Sequence, residues 1–102
     1  METQNYSENV GQAWLLYRNG QHDTAVRGFE QVLNQDPSDI DAHFGLGLVL
    51  RAQGNRTASM QHFEQAKTLV SSALVEDPTS DRLEILERMV QQRINELKGA
   101  SR

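Results

Sequence analysis

Phe29-Glu30-Gln31 returns as Phe63-Glu64-Gln65, thirty-four residues further along the chain. At the same offset Gly11 matches Gly45, Leu16 matches Leu50 and Gly20 matches Gly54. Residues of similar kind pair too: Ala13 with Gly47, Leu15 with Val49, Ala25 with Ser59, Val32 with Ala66. Self-similarity at this period marks a helical repeat array. Each short unit cannot bury its apolar face alone and stacks on its neighbour. The echo therefore predicts an all-α fold of antiparallel helix pairs, an α-solenoid fragment, rather than a catalytic domain.

The period and the residues at it resemble the tetratricopeptide repeat (TPR) family. In the first unit the matching residues are Ala13, Leu16, Gly20, Ala25, Phe29, Leu33 and Pro37; in the second they are Leu46, Gly47, Leu50, Gly54, Ser59, Phe63 and Ala66. The resemblance covers roughly residues 6–73. It implies helix-turn-helix units stacked into a curved scaffold that binds other proteins, with the first helix of each unit lining a concave groove. Some members clamp the C-terminal carboxylate of chaperones with lysine and asparagine. Here the corresponding places hold Val10, Trp14 and Gly45, so the resemblance implies an apolar peptide or helix as guest instead.

The breakers along the chain predict five helices in one TPR-like domain spanning 1–102. Gly20 and Gly54 suit the position just past a helix end, and Asp36-Pro37 and Asp77-Pro78 stop the helices before them. Repeat one is expected over about 6–39. Repeat two covers about 40–77, and a C-terminal capping helix covers about 79–98. Ser38 with Asp41 reads as a capping box at the start of the third helix. The two Asp-Pro steps lie 41 residues apart, not 34. The seven extra residues equal two helical turns and predict a fourth helix lengthened through Leu69, Val70, Ala73 and Leu74. Leu83, Leu86, Val90, Ile94 and Leu97 keep a three-four spacing and predict a buried seam on the last helix. Glu84 and Arg88 are placed for an i,i+4 pair outside that seam.

Composition narrows the function. The chain has 102 residues, 24% of them charged, and no cysteine, which excludes disulfides, thiolate metal sites and a cysteine nucleophile. The net charge of −4 argues against nucleic acid, whose phosphates need a basic stripe. No apolar run reaches membrane-spanning length and the N-terminus lacks signal-peptide regions, so no membrane partner and a cytoplasmic location are expected. Gly45-Leu46-Gly47 lacks the third glycine of a dinucleotide loop. His22, His43 and His62 form no metal-binding motif. No catalytic residue, cofactor or metal is expected, and the protein reads as a non-enzyme.

What remains is a surface. The first and third helices each carry a core stripe and a second apolar stripe about a hundred degrees around. That second stripe is Val10, Trp14 and Tyr17 on one helix and Phe44 and Leu48 on the other, with Arg18 and Arg51 at the edge. A helix apolar on two faces is either sandwiched or presents one face to a partner, and tryptophan and tyrosine are enriched at binding hot spots. These seven residues are the expected partner-binding site of a protein-interaction module. The alternative is a homo-oligomeric assembly element using the same groove, or the hairpin of the last two helices, to form a homodimer.

Overall fold

The repeat punctuation sets the helix ends. The structure is a computed structural model that describes residues 6–99, with side chains from residue 10 onward. Five α-helices follow in order: α1 (Tyr6–Arg18), α2 (His22–Gln35), α3 (Ile40–Ala52), α4 (Arg56–Glu76) and α5 (Asp81–Gly99). The fold is all-α among the described residues, as the echo predicts.

α1 and α3 stop in the same way. Gly20 and Gly54 take positive φ, 83° and 85°. Beyond them the Gln21 N–H donates to the Leu16 carbonyl and the Asn55 N–H to the Leu50 carbonyl, both at 2.9 Å. This is the Schellman closure, and a side chain held in that backbone region would cost about 1–2 kcal/mol. α2 and α4 stop at Asp36 and Asp77, whose N–H groups close onto Val32 and Ala73. The Ser38 capping box does not form. The Asp36 carboxylate accepts the Ser38 N–H at 3.1 Å, which carries the turn one residue further. Asp39 becomes the cap, accepting the Ala42 N–H at 2.9 Å.

α4 has 21 residues against 14 in α2, so the whole seven-residue excess is helical and passes through Ser71 and Ser72. Serine is a poor helix former by only a few tenths of a kcal/mol. Burial of Val70 against Leu83 and Leu86, with Ala73 and Leu74 packed beside them, outweighs it.

Small residues bring the helices together. A Cβ on Gly28 would stand 3.1 Å from the Ala13 Cβ, holding α1 close to α2. The buried Ser59 hydroxyl donates to the Gly47 carbonyl at 2.6 Å where α3 crosses α4. The ring of Phe29 in α2 presses on Gly45 and that of Phe63 in α4 on Gly47, so a Cβ at either glycine would clash with the ring carbons.

α5 runs parallel to α3. Near its start Arg82 reaches Asp41 at 3.4 Å, and near its end Glu96 accepts from Arg51 at 2.9 Å. Arg56, opening α4, donates to the Leu97 carbonyl at 2.6 Å. Leu83, Leu86, Val90, Ile94 and Leu97 are buried. Glu84 and Arg88 do not pair; the ion pairs among the described residues are Arg51–Glu96, Arg82–Asp41 and Arg93–Glu96. The charged side chains of α5 that reach a partner lie on the side facing α3, whereas Glu84 and Arg88 project to solvent. α1, α3 and α5 thus form one layer and α2 and α4 the other. No described helix is long and apolar enough to cross a membrane.

Candidate functional site

Val10, Trp14 and Tyr17 recur at four and three residues, which stacks them on one face of α1. Trp14 stands edge-on to Phe29 at 5.2 Å and to Tyr17 at 6.1 Å, and lies 6.3 Å from Phe44. Edge-to-face contact suits ring quadrupoles and fixes the indole without covering it. All three α1 residues are half-buried. Tyr17 also lies 5.9 Å from the His22 ring.

On α3 the expected site residues divide. Phe44 is only 6% exposed, set 5.7 Å from Phe63 in the cluster that includes Val90 and Ile94 of α5. Its ring is floor rather than contact surface, because α5 closes over it. Leu48 packs at the edge of the same cluster and stays half-buried. Arg18 is exposed at the end of α1. Arg51 is engaged within the chain. Its guanidinium and that of Arg93 share the two oxygens of Glu96, each at 2.9 Å.

α5 adds two residues that the expected site omits. Ile85 and Met89 are 49% and 40% exposed and follow Phe44 and Leu48 by 41 residues, the interval between the Asp-Pro turns. They alternate with Arg82, Arg93 and Glu96 at three- and four-residue spacing. They therefore share the side of α5 whose ion pairs reach α3. The 41-residue offset carries that signal; the three-four seam of the last helix does not. The resulting face runs from Val10, Trp14 and Tyr17 across Leu48 to Ile85 and Met89, over a floor of Phe44.

A second cluster lies between α3 and α4. The His43 Nε2 meets the Pro37 carbonyl at 2.9 Å, and the Nδ1 atoms of His43 and His62 are 3.1 Å apart. A carbonyl only accepts, so His43 carries its hydrogen on Nε2 and a neutral ring accepts from His62 through Nδ1. Burial, and then the neighbouring His43, push the His62 pKa below its ordinary 6.5. Both effects favour the neutral ring. The pair fastens α4 to the start of α3. No group of three or more potential metal-binding side chains converges among the described residues.

No curated protein matches the chain. A family model, described as tetratricopeptide repeat, matches residues 10–77. That stretch opens at Val10 on the half-open face, spans both glycine-stopped helix pairs and closes at the second Asp-Pro turn. With two thirds of its length matched and its helices paired as the repeat requires, the chain belongs to the tetratricopeptide repeat family.

Proposed function

We propose that the face formed by α1, α3 and α5 binds an apolar segment of another protein. Repeats of this family generally mediate protein–protein interaction, and the family is typically a non-enzymatic interaction module. The observation that carries the finer reading is the open apolar stripe. Ile85 and Met89 on one wall are exposed, and Trp14 and Tyr17 on the other, though packed against the core, stay only half-buried. Aromatic anchors on a fixed scaffold and a pliable methionine are the side chains that gain most when a partner covers them.

Position-specific photo-crosslinking in cells that make the protein tests this reading. A photoreactive residue at Leu48 or Met89 should capture a partner protein. The same residue at Gln31 or Glu64, exposed on α2 and α4, should not. Capture from the α2 and α4 positions alone would move the interaction to the other layer. Capture of a second copy of the chain from Met89 would favour a homodimer built on this face.

A further inference from the structure

We infer that the groove is electrically polar along its length and orients its guest, an amphipathic helix of about three turns with a basic end and an acidic end. This inference rests on the binding face proposed above.

The topology sorts the charges. α1, α3 and α5 end where α2 and α4 begin, as the contacts of Arg51 with Glu96, Arg56 with Leu97 and Gln53 with Asp23 establish. Among the described residues, that end gathers Arg18, Arg51, Arg56, Arg93 and Lys98 against two carboxylates, Asp23 and Glu96. The opposite end gathers, among the described residues, Asp36, Asp39, Asp41, Glu76, Asp77, Asp81 and Glu84 against one cation, Arg82. The charges between them balance: Arg27 with Glu30, Lys67 with Glu64, Arg88 with Glu87.

Helix-end chemistry does not account for this separation. Acids at the starts of α3 and α5 and bases at the ends of α1, α3 and α5 do suit the helix dipoles. The remaining charges oppose them. Arg56 opens α4, which has no acid in its first turn. Asp36, Glu76 and Asp77 close α2 and α4, neither of which has a base in its last turn. Each of these placements runs against its own helix dipole, yet each adds to the charge of its end of the molecule.

The guest's form follows from the walls. The backbone groups of α1, α3 and α5 are spent inside the helices. Val10, Leu48, Ile85 and Met89 offer no hydrogen bond to an extended strand, and the one side-chain amide on this side of α5, Gln92, is too few to pair a strand along the wall. A guest that satisfies its own backbone is a helix, and its apolar residues at i, i+3 or i+4 and i+7 match the spacing of the wall side chains. From Asp41 to Arg51 is about 15 Å of helix, so a guest of about three turns reaches both charged ends. Its acidic end lies at Arg18 and Lys98, and its basic end at Asp77 and Asp81.

The test uses two synthetic helical peptides of about eleven residues and identical composition. Both carry one leucine and phenylalanine stripe. In one, lysines stand at one end and glutamates at the other; in the second, the charges are mixed along the length. A nitroxide beside the glutamate end of the first should broaden the amide signals of Arg51, Gly54 and Lys98 much more strongly than those of Asp39 to Asp41 and Ser80 to Arg82. The segregated peptide should bind about tenfold more tightly at low salt, and the difference should close near 0.5 M salt. Glu76→Lys with Asp77→Lys should erase that preference. Equal broadening at both ends, or equal affinities at low salt, would overturn the oriented groove and leave the apolar face standing. No binding of either peptide, with no shift at Trp14 or Met89, would remove the face and the inference together.

Discussion

α1 and α3 are written on one template and live in different surroundings. In α3 every residue from Ala42 to Gly47 is buried, because Phe29 presses on Gly45 from one side and Phe63 on Gly47 from the other. In α1 the counterparts of Gly45, Leu46 and Val49 are Gly11, Gln12 and Leu15. All three are exposed, Leu15 to 53%, and among the described residues nothing lies within 4 Å of where a Cβ on Gly11 would be. A repeat position therefore carries no fixed energetic meaning. The neighbouring helix supplies it.

The largest effect should come from turning α3 into a second α1. Deleting residues 79–102 removes α5 and opens Phe44, Phe63 and Val70 to water. Cooperative melting should be lost and the product should aggregate. A soluble truncation with a sharp thermal transition would show that α3 is sealed by α2 and α4 alone.

Next come substitutions at one template position. Phe29→Ala leaves the Gly45 surface without its ring and should cost about 3–5 kcal/mol. Gly45→Ala drives a methyl group into that ring and should cost about 1–3 kcal/mol, even though alanine favours helix. Gly11→Ala, the same change in α1, should instead stabilise by up to about 1 kcal/mol. Urea midpoints measured in parallel settle the contrast, and a matching loss at Gly11 would break it.

The histidine pair sharpens the comparison at the unit level, since its counterparts in the first unit are Asn9 and Gly28. The folded state disfavours charge on His62, so the unfolded chain takes up that proton more readily. The contribution is whole above the ordinary pKa near 6.5 and is lost as pH falls below it. His62→Gln should flatten the drop in melting temperature between about pH 7.5 and about pH 5. An unchanged slope would show that other groups govern it.

The smallest stability effect should fall on the open face. Tyr17→Ala should cost about 1 kcal/mol or less while weakening partner capture about thirtyfold if the ring is an anchor. A large fall in melting temperature would mean that Tyr17 belongs to the core.

Much of this architecture was legible before any coordinates. Gly20, Gly54 and the two Asp-Pro steps are local signals read by backbone geometry alone, and the 41-residue interval yields the length of α4. Other features depend on which neighbour arrives. Phe44 becomes floor because Val90 and Ile94 reach it, and Ile85 and Met89 enter the face because α5 aligns with α3. Both facts lie more than forty residues from the helix they concern. The cap passed from Ser38 to Asp39 because Asp36 takes the Ser38 N–H first, a competition that residue spacing does not express.

The ion pair between Arg51 and Glu96 spans 45 residues, the longest reach among the described hydrogen bonds. A chain whose contacts are this local pays little loop-closure entropy before each one forms. Folding should be fast and should proceed in the order of synthesis. Phe29 waits only sixteen residues for Gly45, whereas Phe44 waits nearly fifty for Val90 and Ile94. During translation that ring and its neighbour Phe63 are covered after Phe29, so a ribosome stalled within α5 would expose the nascent chain to chaperones at Phe44 and Phe63 rather than at Phe29.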